Sequence, residues 1–373
     1  MPCKADAASV EWITDDDALA AAAGAWGRVI GLDTEFQRTD TFFPLPGLYQ
    51  VSDGSRVYLL DPLSVNDFSP LLELLEDRRV VKIMHSCSED LELLRHHFGA
   101  APVGLFDTQL AHAFVSTDFS ISFTRLVEAR LGVTLDQQET RSDWLARPLT
   151  AEQVKYAAED VYYLPPLYEA LHAELVRTGR LAWFREEMDE RGRFQLGDPD
   201  TYYLGMNKVW RMDDAARARL QRLTSWRERQ AMAEDRPRNR IVRDEHLLAL
   251  AEDDDVDTDR LQALLPRGVV RRYGDDLLAA HDGDSDAAGG GDPPPQPAAP
   301  LTRAETALAQ DLRVVARAVA ESLGMAPELL SRKKDVEACV RHFRIHGELS
   351  ERFLGWRAPL LADAFRARLA GAP

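Results

Sequence analysis

Four carboxylates and one tyrosine between positions 33 and 160 have spacings that suit a metal-dependent site for phosphodiester cleavage. Asp33 and Glu35 are two residues apart in RVIGLDTEF, an apolar and β-branched run that is typical of a buried strand. Successive side chains of a strand point to opposite faces, so residues two apart share a face. Both carboxylates can therefore reach one metal ion.

The other candidate residues belong to two predicted helices. Asp90 lies in SCSEDLELL, directly after the strand-like run VVKIM, at a predicted strand-to-helix junction. Tyr156 and Asp160 are four residues apart in TAEQVKYAAEDVYYL, a helical stretch for which Thr150 is the predicted N-cap. Residues four apart share a helix face, so this helix presents a hydroxyl beside a carboxylate.

Carboxylates crowded together repel one another and raise their own pKa values unless a cation neutralises them. Sites built from oxygen ligands favour hard ions such as Mg²⁺ or Mn²⁺. Two such ions about 3.5–4 Å apart can stabilise the attacking and leaving oxygens of a phosphoryl displacement. Tyr156, with a free phenol pKa of about 10, is predicted to stay neutral and to hold the attacking water, while the metal supplies the deprotonation.

The order of these motifs resembles the tyrosine subclass of the DEDD exonuclease superfamily and, within it, bacterial ribonuclease D. The segments that carry the resemblance are DTEFQRTDTFFP, LYQVSDG, KIMHSCSEDLELL, LFDTQLAHAF and SDWLARPLTAEQVKYAAEDVYYLPPLY. The resemblance is close over the first half of the chain and looser towards the end. It implies that Asp33, Glu35, Asp90 and Asp160 hold two divalent cations, Mg²⁺ or Mn²⁺, and that Tyr156 orients the water.

Several residues close to these motifs in sequence are candidate substrate contacts. Phe36 and Arg38 follow the first two carboxylates and are placed to flank the terminal nucleotide, although Phe36 fits the core equally well. His85 precedes Asp90 at the strand end, where a hydrogen-bonded core histidine is the simpler interpretation and an RNA contact is the alternative.

Two further segments flank the candidate site. Trp144 and Arg147 in SDWLARPL precede the Tyr156 helix and resemble a substrate-edge loop of ribonuclease D. An arginine there can contact a phosphate through two N–H groups, and the alternative is a loop held in place by the packing of Trp144. Asp107, in LFDTQLAH, is predicted to cap the following helix or to support the metal ligands from behind.

Length and charge limit the classes of protein to consider. The 373 residues, 45% of them hydrophobic, predict two or three globular domains. A net charge of −17 argues against nucleic-acid binding, but residues 208–243 carry eleven basic and five acidic residues. The candidate phosphate contacts in this basic segment are Lys208, Arg211, Arg219, Arg222, Arg227, Arg229, Arg236, Arg238, Arg240 and Arg243.

The chain divides by composition into four predicted segments. Strand-like and helical runs alternate up to about residue 205, which indicates an α/β domain. The resemblance implies a ribonuclease-H-like mixed sheet flanked by helices, followed by two small all-α HRDC-type domains. We predict a 3′–5′ exonuclease domain over residues 1–205, an HRDC domain over 206–281, a flexible linker rich in Gly, Pro, Ala and Asp over 282–300, and a second HRDC-like domain over 301–373.

In the first HRDC segment, Trp210, Leu220, Leu223 and Trp226 are predicted core residues, with the arginines facing outward. The widely spaced Cys3, Cys87 and Cys339 indicate neither a disulfide framework nor a zinc site. No targeting segment or membrane span is recognisable, so we expect a cytoplasmic protein without membrane contact. We also expect a monomer.

The resemblance implies a 3′-to-5′ exoribonuclease that releases 5′-mononucleotides and trims the 3′ ends of precursor tRNA and other small structured RNAs. Two alternatives stay open at this point. One is a DNA 3′-to-5′ exonuclease of the same superfamily. The other is a non-catalytic RNA-binding protein on a nuclease fold, which loss of one of the carboxylates would indicate, and all four are present.

Overall fold

The structure is a computed structural model that describes residues 9–135, 142–193, 197–283 and 293–371. The chain forms two compact units. The first unit contains Met1–Gln37, Pro46–Phe194 and Leu301–Pro373, and the second contains Arg38–Leu45 and Gln195–Pro300. The C-terminal helices therefore belong to the same unit as the α/β domain. Among the described residues, no helix combines the length and apolar content needed to cross a membrane.

The first unit is built on a six-stranded mixed sheet with the strand order β1–β4–β3–β2–β5–β6. Strands β1 and β4, β2 and β5, and β5 and β6 pair in parallel, whereas β3 and β4 are antiparallel. This confirms the prediction of an α/β domain with a mixed sheet. The strands are β1 (Ser9–Ile13), β2 (Val29–Gln37), β3 (Leu45–Ser52), β4 (Arg56–Leu60), β5 (Val81–Met84) and β6 (Leu105–Asp107).

Helices cover both faces of this sheet, and each face has its own apolar core. One cluster joins Ile30 and Leu32 of β2 to buried leucines of the first three helices. The other joins Ile83 of β5 to the later helices. The helices are α1 (Asp16–Ala23), α2 (Ser69–Glu76), α3 (Ser88–Phe98), α4 (Thr108–Val115), α5 (Phe123–Leu131), α6 (Ala151–Tyr162), α7 (Leu164–Arg177) and α8 (Leu181–Gly192).

The second unit is helical, and its core only partly matches the prediction. Leu220 and Leu223 are fully buried, as expected. Trp210, in contrast, lies half-exposed outside the apolar cluster, with the guanidinium of Arg211 over its ring. The helices are α9 (Asp214–Ala233), α10 (Arg238–Ile241), α11 (Asp244–Ala251), α12 (Thr258–Leu264) and α13 (Arg267–Asp282).

The arginines of α9 do not all face outward, which corrects the prediction. Arg227 is fully buried and forms ion pairs with Glu228 and Asp244. Arg217 is also buried, with Asp214 as its ion-pair partner. A buried guanidinium is stable only when carboxylates and carbonyls occupy its N–H groups. The acidic residues of this segment therefore neutralise part of its positive charge.

Of the predicted flexible linker, 282–300, the structure describes residues 282–283, where Asp282 ends α13, and residues 293–300. Residues 293–300 form no helix or strand, yet they are attached to the second unit by hydrogen bonds. Arg217 Nε donates to the Pro294 carbonyl at 2.8 Å, and the Tyr203 hydroxyl donates to the Pro295 carbonyl at 2.8 Å. Composition indicated the lack of regular structure here but not this attachment.

The C-terminal segment contains three long α-helices and one short α-helix. They are α14 (Arg303–Leu323), α15 (Pro327–Leu330), α16 (Lys333–His346) and α17 (Ala358–Ala370). Leu312, Val340 and Phe365 of these helices belong to the same apolar cluster as Phe114 and Phe184 of the α/β domain. The C-terminal helices are therefore part of the first unit's core.

Candidate active site

Three of the predicted carboxylates converge on one side of the sheet. Asp33 and Glu35 of β2 and Asp160 of α6 each have an oxygen within 4.8 Å of the others. Their side chains are half-buried, so the oxygens stay accessible to a ligand. The two strand carboxylates, Asp33 and Glu35, and the helix carboxylate, Asp160, therefore lie close together, as their positions in the sequence predicted.

Helix α6 reaches this position because of its N-terminal cap and a glycine in β2. Thr150 and Gln153 form a capping box that fixes the start of the helix. A β carbon at Gly31 would lie 2.9 Å from the carbonyl oxygen of Val161 and 3.0 Å from the β carbon of Leu164. Gly31 thus allows the end of the helix to lie directly against the strand, two residues before Asp33.

Asp90 approaches the site differently from the other three carboxylates. Its side chain is buried in the first turn of α3 and accepts a hydrogen bond of 2.5 Å from the Thr34 hydroxyl. Thr34 lies between Asp33 and Glu35 and so points to the opposite face of β2. Asp90 lies outside the group of three, but its charge acts on Asp33 and Glu35 and raises their pKa values.

The ionised forms of the four candidate carboxyl groups are destabilised in this site. Burial first and repulsion between the carboxylates second raise the pKa of Glu35 to about 9 and hold that of Asp33 well above its ordinary value. Burial is also the main reason that the pKa of Asp160 is raised to about 7 and that of Asp90 to about 6. A cation among these oxygens would remove both penalties.

Tyr156 lies next to Asp160, one helical turn earlier. Its hydroxyl hydrogen-bonds to the Asp160 carboxylate, and its ring is 5.9 Å from the ring of Trp144. Burial, followed by the charges of Asp160 and Glu35, raises the pKa of the Tyr156 phenol. The hydroxyl therefore keeps its proton at neutral pH and serves as a hydrogen-bonding group.

This donor set fits divalent metal ions. The three clustered residues offer only carboxylate oxygens, which are the ligands preferred by Mg²⁺ and Mn²⁺. A site with imidazole or thiolate ligands would instead favour zinc. The raised pKa values also indicate a site that lacks a compensating positive charge from the protein itself.

Comparisons with known proteins agree with this geometry. A 3′–5′ exonuclease family profile matches residues 10–176, and an HRDC domain profile matches residues 216–280. Ribonuclease D of Pseudomonas paraeruginosa is 41% identical over 369 residues, covering 96% of this chain and 97% of the relative. The chain belongs to the ribonuclease D family. Ribonuclease D of Escherichia coli is 35% identical over 371 residues, covering 95% and 96% of the two chains.

The solved structure of the Escherichia coli ribonuclease D supports the same assignment for the whole chain. Its TM-score to this structure is 0.88 at 35% identity, covering 98% of this chain and 100% of that one. The family resemblance and the presence of an exonuclease domain and an HRDC domain are thereby confirmed, while the predicted domain bounds stay predictions. The second HRDC-like domain, residues 301–373, stays a prediction, as do the roles of individual site residues.

In this member of the ribonuclease D family, the guanidinium of Arg147, a predicted substrate contact, is bound to acceptors of the protein itself. Its Nε and Nη2 donate to the two carboxylate oxygens of Asp61 at 2.8 and 2.7 Å. The remaining N–H groups donate to the carbonyl oxygens of Gly47, Trp144 and Ala146. All five N–H donors are engaged, so the geometry favours a structural role over a phosphate contact.

Trp144 is likewise a packing residue. It is only 4% exposed and belongs to the main apolar cluster. A β carbon at Gly47 would lie 2.6 Å from that of Trp144, so a glycine in β3 is needed for this loop to lie against the sheet. The packing alternative is therefore the one that the structure favours, and through its ring Trp144 supports Tyr156.

The other predicted substrate contacts have mixed positions. Phe36 packs against the apolar cluster on the α1–α3 face. Arg38 belongs to the second unit, where its Nε donates to the Phe42 carbonyl at 3.0 Å. His85 has its Nδ1 2.9 Å from the Thr108 hydroxyl, and burial lowers its pKa. The structure thus gives His85 the hydrogen bond of a core histidine.

Asp107 caps α4, as predicted. One carboxylate oxygen accepts hydrogen bonds from the backbone N–H groups of Gln109 and Leu110, and the other pairs with Arg191 at 2.9 Å. Thr34 and Arg191 were not identified from the sequence. The position of Thr34 between two strand carboxylates could have indicated its role. Arg191 lies 84 residues from Asp107, so no local sequence pattern could have indicated this pair.

Most of the basic residues nominated in the second unit already bind acceptors of the protein. Arg240 and Arg243 are bound less tightly than the others. Both side chains are 68% exposed, and their carboxylate partners lie 3.9 and 3.5 Å away. Lys208 and Arg211 are also exposed. The engaged arginines are Arg219, Arg222, Arg227, Arg229, Arg236 and Arg238.

Proposed function

We propose that this protein removes nucleotides one at a time from the 3′ end of RNA and releases 5′-mononucleotides, using two divalent cations, Mg²⁺ or Mn²⁺. The observation that carries the proposal is the convergence of Asp33, Glu35 and Asp160 within 4.8 Å on an exonuclease fold. Asp90, held by Thr34, is proposed as the fourth ligand. RNA as the substrate follows from membership of the ribonuclease D family.

The chain's own residues have separate roles in the proposed reaction. Bound cations would neutralise charge on the phosphate and lower the pKa of the attacking water. Tyr156 keeps its proton, so it orients the water by a hydrogen bond and does not act as the base. Trp144 and Arg147 act indirectly, because the loop that they hold supports the ring of Tyr156.

The HRDC domain is proposed to bind the body of the RNA. Lys208, Arg211, Arg240 and Arg243 are its best candidates for phosphate contacts because they are exposed. Binding through such contacts weakens as the salt concentration rises.

Precursor tRNA and other small structured RNAs are the proposed substrates. The Escherichia coli relative is described as an exoribonuclease involved in structured RNA processing, which supports this choice. We also propose a cytoplasmic monomer. The free, buried thiols of Cys87 and Cys339 fit a reducing compartment.

The decisive experiment is degradation of a 5′-labelled precursor tRNA by the wild type and by Asp33→Asn, with Mg²⁺, Mn²⁺ or EDTA. A ladder of labelled fragments that shorten stepwise would show 3′-to-5′ polarity, whereas immediate release of a labelled mononucleotide would show the opposite polarity. Asp17→Asn, which changes an exposed carboxylate in α1, is the matched control. We expect activity with metal in the wild type and control, and none with EDTA or in Asp33→Asn.

Two outcomes would contradict the proposal. Faster cleavage of DNA than of RNA at matched sequence would favour the DNA exonuclease alternative, because only RNA has a 2′-hydroxyl to recognise. Binding of RNA without any metal-dependent shortening would favour a non-catalytic RNA-binding protein.

A further inference from the structure

A cavity of about 500 Å³ lies in the first unit, at the end of the sheet away from the clustered carboxylates. Val81 and Leu105, the first residues of β5 and β6, line it. These strands are parallel, and Asp90 and Asp107 lie at or beyond their opposite ends. The cavity is therefore separate from the proposed catalytic site.

The inner wall of this cavity is aromatic. The rings of Phe106 and Phe184 are 4.7 Å apart, and the ring of Tyr168 packs edge-on against Phe106 at 4.8 Å. The ring of His172 lies 5.3 Å from that of Tyr168. Phe106 and Phe184 are buried, while Tyr168 and His172 are half-exposed. The half-exposed rings of Tyr168 and His172 thus offer aromatic surface to a planar ligand, and the two buried phenylalanines support them from behind.

The rim of the cavity is positively charged. Arg78, Arg185 and Arg193 line it, and Asp189 is the one carboxylate among the described lining residues. None of these arginines forms an ion pair with a carboxylate in the part of the chain that the structure describes. The pKa of His172 is lowered first by burial and second by the charge of Arg185. This guanidinium therefore lies close to the aromatic wall. In a chain of net charge −17, such a rim selects for anions.

We infer that this cavity binds a nucleoside monophosphate unit, with its base against the ring of Tyr168 and its phosphate at the arginine rim. The volume is typical of small-ligand pockets. A guanidinium group can donate two parallel hydrogen bonds to the oxygens of one phosphate. Any nucleobase can stack on an aromatic ring, because every base has a flat π face. The choice of a nucleotide over other aromatic anions rests on the proposed function, whose reaction releases such molecules.

The test is calorimetric titration of the full chain in EDTA, which withholds the cations that the catalytic site needs. The probes are AMP, UMP, adenosine, inorganic phosphate and the dinucleotide pApA. We expect AMP and UMP to bind at least about tenfold more tightly than adenosine or phosphate alone, because both halves of the ligand contribute. Equal affinity for AMP and pApA identifies a free nucleotide as the ligand, and tighter binding of pApA identifies a unit of an RNA strand.

Three variants locate the binding. Arg185→Glu and Arg78→Glu, which change two different elements of the rim, should each weaken AMP binding at least about tenfold. Arg366→Glu changes an exposed arginine on α17, outside the cavity, and should leave binding unchanged. Thermal unfolding of each variant should match the wild type, because these arginines lie on the surface.

The inference is overturned if the wild type binds no mononucleotide, if neither rim variant weakens binding, or if adenosine or phosphate alone binds as tightly as AMP. Its failure is distinguishable from failure of the proposed function. A protein that degrades RNA but binds no nucleotide in EDTA would refute only the cavity assignment. A protein that binds AMP through Arg185 but never shortens RNA would refute only the proposed function.

Discussion

Arg147 and Asp61 form a two-point ion pair that joins the loop before α6 to the end of β4, with N–O distances of 2.8 and 2.7 Å. Burial acts to raise the pKa of Asp61, but the hydrogen bonds from Arg147 and from the Leu63 N–H outweigh it and keep that pKa below its usual value. The pair fixes the loop that carries Trp144, and Trp144 in turn contacts the ring of Tyr156.

Replacing Arg147 by lysine should therefore affect both stability and turnover. Lysine keeps the charge but cannot make the paired contact or reach the three carbonyls. We expect the free energy of unfolding to fall by about 2 kcal/mol and kcat to fall while KM changes little. Urea denaturation and steady-state kinetics measure the two effects. Arg79→Lys, in an exposed Asp77–Arg79 pair, is the control, and an equal loss in both variants would contradict this role.

Tyr156→Phe tests the proposed orientation of the attacking water. The change removes the hydroxyl that bonds to Asp160 but keeps the ring that packs on Trp144. We expect kcat to fall by about 100-fold, because a misplaced nucleophile loses much of the advantage of positioning. Metal affinity, measured by calorimetry, should change little. Tyr162→Phe on the same helix is the control, and an unchanged kcat in Tyr156→Phe would remove the assignment.

Stability without metal should decrease as the pH rises. The pKa of Glu35 is raised to about 9 and that of Asp160 to about 7, whereas both carboxyls titrate near their ordinary values when the chain is unfolded. At pH values between the ordinary and the raised pKa values, the folded state therefore binds more protons than the unfolded state. The free energy of unfolding falls with increasing pH in this range. Between about pH 7 and about pH 8, carboxyls with lowered pKa values are already ionised, and Lys82, whose pKa burial lowers to about 8, opposes the effect mainly above this interval.

The measurement is the Tm in EDTA and in Mg²⁺ at both ends of that interval. We expect Mg²⁺ to raise the Tm more at the higher pH, where the carboxylates are charged. Asp33→Asn should unfold at a higher Tm than the wild type in EDTA at high pH, because one of the repelling charges is gone. A Tm in EDTA that is the same at both pH values would show that these carboxyls do not repel as inferred.

Sequence spacing predicted the parts of the site that lie within single elements. The alternation of β2 places Asp33 and Glu35 on one face, and the turn of α6 places Tyr156 beside Asp160. Both relations depend only on local periodicity. The partners of Arg147 could not be predicted, because Asp61 lies 86 residues away and no periodic pattern links the two.

The arginines of α9 show a second limit of periodicity. Hydrophobic spacing identified Leu220 and Leu223 correctly, but it assigns every arginine to the solvent. Arg227 is buried because Asp244, in a different helix, pairs with it. The acceptors that complete the contacts of the buried arginines, Asp244 for Arg227 and the Pro294 carbonyl for Arg217, come from other parts of the fold, and this information is tertiary.

Glu187→Gln tests how the C-terminal helices are held in the first unit. Glu187 is 5% exposed, and its carboxylate accepts hydrogen bonds from Arg357 at 2.6 Å and from Arg352 at 2.7 Å. Burial opposes ionisation of Glu187, but these two arginines keep its pKa below the usual value. Removing the charge leaves the buried Arg357 without a carboxylate partner among the described residues.

We expect Glu187→Gln to lower the free energy of unfolding by about 3 kcal/mol, as breaking one side of a buried ion pair does. Because the C-terminal helices share an apolar cluster with the α/β domain, both should unfold at the lowered Tm. Glu190→Gln is the control, since that side chain is 63% exposed and also pairs with Arg352. It should cost less than about 1 kcal/mol. Urea and thermal denaturation followed by circular dichroism measure both variants, and equal losses would show that the buried carboxylate does not hold these helices.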